Sequence, residues 1–427
     1  MKISKLQEEL RNRGIDPDTV EMLHNGKKIT SKDLVRRIQE YEIEKLGGFN
    51  ALSWGMQQRL KIDSPMLCAD YKDLKPKEQV ESMFTYQWVA ERKLNGVRMI
   101  MIYHPKEGFQ FFSRNLSVTN FLPIEYTDTI LLSCEGKLQE ATYFKGFLKT
   151  KFVVDTEACC KETVIDTTRY RKSGGTVTNS ELNASTTILS IEPEISHKIQ
   201  REQCALTLVI FDCLLWDDIN AAKEQLIVRM GMREDIVRGL INDGIIVEEV
   251  ESESKELQKF YDSIVASGGE GIVLKNIMMP YCTTGKRDKA GFVKRKRTVS
   301  EAYGEDIDAF LTGASASNKD NKFAHLIGAV DMSIMLQKKD GSEEEVILAS
   351  VGAMPLKMRE ELTITVNGKP ALNPDYLGKV LTIDGQDLSP KARRFRHARA
   401  DWDRGFRNDK TYLDCEISEE FLDSQIF

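Results

Sequence analysis

The chain has 427 residues, 41% apolar and 30% charged, with a formal net charge of −6. That length exceeds one ordinary domain, so two or three are expected. The acidic balance excludes a wholesale polycation, no apolar run approaches the ~20 residues of a membrane helix, and the first ten residues lack a secretory pattern.

In chain order, residues 2–46 read as helical. Ile3, Leu6 and Leu10 fall on one face, Gly14 ends that helix, and Ser31 caps a second carrying Leu34, Ile38 and Tyr41. A polar stretch from Gly47 to Ser64 leads into a long mixed α/β region with strand-like runs at 86–90, 98–103, 151–154, 206–215 and 271–274. Lys161–Ser190, rich in Thr and Ser, reads as an inserted loop. Beyond K-R-K-R-T at 294–298 the pattern turns to short strands between polar turns, which predicts a small β-barrel. The eight cysteines are scattered without a C-x-x-C. Reduced thiols in a cytosol or nucleus, rather than a secreted disulfide scaffold, are expected.

The polar strings at strand edges carry the chemistry. E-R-K-L-N-G-V-R-M at 91–99 places Lys93 beside an Asn-Gly turn, which fits either a hairpin with a solvated lysine or a lysine nucleophile. F-F-S-R-N ends a strand with Arg114. F-V-V-D-T-E puts Asp155 and Glu157 on one strand face by the period of two. L-V-I-F-D delivers Phe211, S-G-G-E-G-I-V-L-K sets Glu270 among glycines with Lys275 beyond, and G-F-V-K-R-K-R alternates Lys294 and Lys296 on one face. Singly, each has a plainer reading: a solvated face, a turn, a core phenylalanine, a basic linker. Together they supply what attack on a nucleoside triphosphate requires: a nucleophile, cations for phosphates, carboxylates for a metal and an apolar surface for a base.

Their order and spacing resemble the covalent nucleotidyltransferase superfamily, and most closely the ATP-dependent DNA ligases of compact, phage-like type. The likeness runs from about residue 64 to 415. It implies that Lys93 becomes adenylated, that Glu91 reads the adenine amino group and that Arg98 contacts ribose or phosphate. Arg114 would bind nucleotide and DNA phosphate, and Glu157, in D-T-E where the family shows D-G-E, would serve ribose or metal. Phe211 would stack on adenine, Glu270 would serve the metal, and Lys294 and Lys296 would grip the α-phosphate. For the family's last motif, R-x-D-K, R-N-D-K (Arg407, Lys410) is preferred over R-A-D-W (Arg399, Asp401). Asn95 departs from the family's aspartate.

The implied fold class is α+β multidomain: a mixed α/β nucleotidyltransferase core of ATP-grasp-like adenylation type over 63–300, an OB-fold β-barrel over 301–427, and a small helical N-terminal segment over 1–62. That segment is similar to the DNA-binding SAP module, though a helical pair packed for other reasons fits as well. The implied cofactors are ATP and Mg2+, with Mn2+ as a substitute. The implied partner is nicked duplex DNA, with no membrane and a monomeric chain, in replication, repair or recombination. An RNA ligase is the alternative, with an mRNA-capping guanylyltransferase or a non-catalytic nucleic-acid-binding relative behind it.

Overall fold

The computed structural model describes residues 3–23, 29–131, 149–170, 174–178, 180–242, 244–303, 306–317, 323–385, 388–389 and 392–425. Two units are distinguished, Met1–Arg295 and Lys296–Phe427.

The first unit begins with α1 (Ile3–Asn12), α2 (Pro17–Leu23) and α3 (Ser31–Lys45). Leu6, Leu10, Leu34 and Ile38 close one apolar cluster with Val20 and Phe121. Ile3, expected on that face, is 41% exposed because it opens the helix. Gly14 takes φ +73° and ends α1. The cap of α3 is Thr30 rather than Ser31: its N–H and hydroxyl donate to the Asp33 carboxylate at 2.8 and 2.6 Å. The polar stretch 47–64 contains a further helix, α4 (Trp54–Leu60), capped by the Ser53 hydroxyl.

Eleven strands follow: β1 (Leu67–Asp70), β2 (Trp88–Arg92), β3 (Val97–His104), β4 (Gly108–Leu116), β5 (Pro123–Glu125), β6 (Phe152–Cys160), β7 (Leu206–Trp216), β8 (Val247–Glu249), β9 (Ser252–Glu253), β10 (Gly271–Asn276) and β11 (Arg287–Lys296). They form a five-stranded sheet ordered β1-β11-β10-β2-β9 and a six-stranded sheet ordered β5-β4-β3-β6-β7-β8. Strand β3 explains the layering. Met99, Met101 and Tyr103 face a core shared with the helices Glu181–Ser190, Pro193–Glu202 and Leu226–Asn242. Ile100 and Ile102 face a second core with Phe292 and Tyr281. A strand buried on both faces needs a continuous apolar run, which M-I-M-I-Y at 99–103 supplies.

The loop expected over 161–190 is partly regular. Asp166 bridges Val177, and Glu181–Ser190 is a helix burying Ala184, Ser185, Ile188 and Leu189. Its hydroxyls are absorbed locally: Ser185 donates to Glu181 O and accepts from the Cys160 N–H, both at 2.9 Å. Composition suggested a loop because such bonds are invisible to it.

The second unit has β12 (Ile307–Ala316), β13 (Ile327–Gln337), β14 (Glu343–Val351), β15 (Thr363–Val366), β16 (Lys369–Leu372), β17 (Val380–Asp384), β18 (Arg399–Ala400) and β19 (Glu416–Ser418). Its main sheet runs β14-β13-β12-β17-β18, with β19 on β13. Among the described residues this path stays open rather than closing, as a partly open OB barrel does. No helix among them is long and apolar enough to cross a membrane.

Candidate active site

Strands β2 and β3, on either side of K-L-N-G, do not form a hairpin. β2 pairs with β10 and β9 in one sheet, and β3 pairs with β4 and β6 in the other. The stretch crosses between sheets, and Lys93 stands at the crossing. Its N–H donates to Gly271 O at 2.9 Å, extending the β2 pairing by one residue. A Cβ on Gly96 would lie 2.4 Å from Ala158 O and 2.9 Å from the Cys159 thiol. Only glycine lets the crossing press this closely on β6, and there the Gly96 N–H donates to Glu157 Oε1 at 3.2 Å.

The Lys93 ammonium donates to Glu270 Oε2 at 2.5 Å and to Leu94 O at 3.3 Å. Both side chains keep partial exposure, 21% and 18%. Glu157 has its carboxyl pushed up to about 7 by burial, against the pull of Lys93, Arg98 and the Gly96 N–H. The Phe211 ring lies apart from the main cores, in a small cluster with Val209 and Val250 against Leu94 and Cys159. Arg98 and Lys275 approach that ring at 5.3 and 5.0 Å from its centroid. Lys294 Nζ is 3.8 Å from Asp70 Oδ2. The Cys68 thiol, raised by burial, is drawn down by Arg98, Lys93, Lys275 and Lys294, so these four cations share one neighbourhood. Arg295 points the other way, 3.9 Å from the Tyr261 ring centroid, as strand alternation requires.

Two expected contacts are already committed to protein. Glu91 is 2% exposed, and its oxygens are held by Arg233 at 2.6 Å and Lys275 at 2.5 Å. Arg233 and Lys275 also donate to the Phe211 carbonyl at 2.9 and 2.8 Å. Arg98 forks onto Asp155 at 2.9 and 2.6 Å and reaches Met66 O at 2.7 Å. Burial opposes its charge, yet Asp155 and Tyr281 hold it raised well above the usual range. The Tyr281 hydroxyl also donates to Asp155.

Arg233, Lys275, Asp155 and Tyr281 therefore support the site without having been assigned to it. The arginine was detectable: Leu226, Arg229, Arg233, Ile236 and Leu240 are all buried on one helix stripe, so two charges stand where apolar residues belong. Arg229 meets Asp212 through two bonds of 2.7 and 3.0 Å.

The remaining expected residues lie elsewhere. Arg114 is exposed at the end of β4, and its side chain has no partner among the described residues. Lys296 ends β11 where the second unit begins. Within that unit Arg407 and Lys410 converge on Asp308, whose side chain is 2% exposed. Arg407 also forks onto Asp409 at 2.9 and 2.7 Å. Of the competing string, Arg399 is exposed on β18, while the Asp401 carboxylate accepts from the Arg404 N–H at 3.0 Å.

Glu157 and Glu270 offer hard oxygen donors beside Lys93, and Mg2+ commonly takes one or two carboxylates plus phosphate oxygens and water, so this pair fits such an ion. Among the described residues no group of three or more His, Cys, Asp or Glu forms a cage.

Residues 65–296, just over half of the chain, match the family model described as ATP dependent DNA ligase domain. DNA ligase 4 of Candida albicans is 24% identical over 254 residues, covering 57% of this chain and 25% of that protein. A DNA ligase of Halobacterium salinarum is 28% identical over 184 residues, covering 40% of this chain and 31% of that protein. This chain thus matches a third or less of the length of either relative. A solved structure described as Pmar-Lig_PreS3 shares the fold with TM-score 0.50 and 16% identity, over 93% of this chain and 82% of that one.

Proposed function

The chain belongs to the ATP-dependent DNA ligase family, and from that membership we propose that it uses ATP to seal nicks in duplex DNA through a lysine–AMP intermediate on Lys93. The observation carrying this reading is Lys93 at the crossing between two sheets, bonded to Glu270 at 2.5 Å with Glu157, Arg98 and Phe211 around it.

The Lys93 amine attacks the α-phosphorus of ATP. A P–N bond forms and the bond to pyrophosphate breaks; of the two protons the ammonium gives up, the first passes before attack through Glu270, already its hydrogen-bond acceptor, and the second leaves with pyrophosphate. Lys294 and Lys296 neutralise phosphate charge, and Phe211 with Leu94 and Val250 offers the base an apolar face. Because Glu91 is enclosed by Arg233 and Lys275, it acts by holding β2 and the Phe211 carbonyl in place rather than by reading the adenine amino group. Arg98 likewise acts through Asp155. Glu157 and Glu270 would hold Mg2+ (or Mn2+), which would supply charge neutralisation at the triphosphate. Arg407 and Lys410 serve the pyrophosphate end. The 5′-phosphate of the nick then takes AMP from Lys93, and the adjacent 3′-hydroxyl displaces it, with Arg114 on DNA phosphate. The domain limits 1–62, 63–300 and 301–427, a monomeric state and a reducing compartment complete the proposal.

The test is incubation with α-labelled ATP or GTP and Mg2+, followed by nicked duplex. ATP label should reach the protein, be lost in Lys93→Ala, and discharge onto DNA with sealing. Faster sealing of a nicked RNA strand would favour the RNA ligase alternative. Absence of an adduct with either nucleotide from folded protein overturns the proposal.

A further inference from the structure

Arg13 just beyond α1, Gln39 of α3 and Arg59 of α4 precede the family-matched residues, yet their side chains converge on one short piece of the core, Ser113–Ile124. Arg59 of α4 is 1% exposed, and all its hydrogen bonds go to backbone carbonyls. Nη1 donates to Ile62 O at 2.8 Å, Nε and Nη2 to Ser113 O at 3.1 Å each, and Nη2 to Arg114 O at 2.8 Å. No carboxylate among the described residues forms an ion pair with it, and burial brings its pKa down to about 10. Burying a guanidinium without a counter-ion is costly, so purely structural packing would be better served by an apolar side chain.

The same segment is gripped further along. Arg13 Nη2 donates to Thr119 O at 2.7 Å, and Gln39 donates to Phe121 O at 2.8 Å. Phe121 holds the left-handed φ of +58°, a strained conformation for an aromatic residue, while its ring is buried against Leu6, Leu10, Leu34 and Ile38. Ser113 Oγ accepts from the Ile124 N–H at 2.9 Å. The backbone on both sides of Arg114 is thereby fixed, while the Arg114 side chain itself is exposed.

We propose that Arg59 is a positioning residue: by holding the carbonyls of Ser113 and Arg114 it aims the Arg114 guanidinium at a phosphate of the nicked strand, with the N-terminal helices as its brace. This rests on the ligase reading above.

A double-mutant cycle tests it. Arg59→Gln, Arg59→Lys and Arg114→Ala are made singly and combined, and AMP transfer from pre-adenylated protein is measured against nicked-duplex concentration. Arg59→Gln should raise the KM for nicked duplex roughly tenfold, with Arg59→Lys between it and wild type, yet cost under about twofold once Arg114 is alanine. Equal loss with and without Arg114 overturns the proposal, as does an unchanged KM. Should the Arg59 variants not fold, Gln39→Ala enters the same cycle with the same two outcomes. If the wild type forms no adduct at all, the ligase reading fails first, which is a separate result.

Discussion

Glu157 illustrates how burial and charge compete at a single residue. Burial lifts its carboxyl from 4.5 to about 7, while Lys93, Arg98 and the Gly96 N–H pull the other way. If Glu157 holds Mg2+ as proposed, the ion displaces a proton there, so adduct formation should rise between about pH 6 and pH 8, with a midpoint that falls as Mg2+ is increased. The stability sign is opposite. A carboxyl raised in the fold favours its protonated form, so its contribution is complete below about 4.5 and is lost as pH rises through about 7. Thermal unfolding should accordingly show wild type losing more stability across that window than Glu157→Gln. Glu91 is a different case, enclosed by Arg233 and Lys275. Arg233→Met leaves the buried Glu91 carboxylate with Lys275 as its one remaining cation and should cost about 3 kcal/mol, the lower end for breaking a buried pair, in urea unfolding. The meeting of Lys93 with Glu270 was legible because each string sets a charged side chain at a strand end. The enclosure of Glu91 was not, since Arg233 lies 142 positions away.

At the scale of elements, the crossing from β2 to β3 matters most. Asn-Gly suggests a hairpin locally, but each flanking strand found its partners in a different sheet. The glycine is therefore required by contact with β6 rather than by turn geometry. Gly96→Ala should cost about 1–3 kcal/mol by overpacking and displace Lys93. Adduct formation should drop well beyond what the stability loss explains, measured at a temperature where the variant stays folded. In the second unit, Asp308 on β12 also accepts from the Thr382 hydroxyl at 2.6 Å while gathering Arg407 and Lys410. Asp308→Asn should slow lysine adenylation while sealing of pre-adenylated DNA is retained; equal loss in both assays would remove R-N-D-K from the pyrophosphate role.

Across the whole molecule, a net charge of −6 means that the proposed DNA substrate would be met by local cations rather than by bulk attraction. Affinity for nicked duplex should fall log-linearly with salt, at a slope of roughly −0.9 per phosphate neutralised, and agree within about twofold between unrelated sequences. Filter binding across a salt series checks this, and a strong sequence preference would contradict it. By itself the sequence determined the order of the charged strings at strand edges, the mixed α/β core and the change to a strand-rich pattern after residue 298, because side-chain chemistry and periodicity are local properties. Tertiary structure alone decided that β2 and β3 join different sheets and that a Thr-rich stretch holds a helix. It also decided that Glu91 and Arg98 are spent on protein partners and that the N-terminal helices grip the backbone around Arg114. Those outcomes depend on which distant groups meet and exclude water, and no spacing along the chain records that.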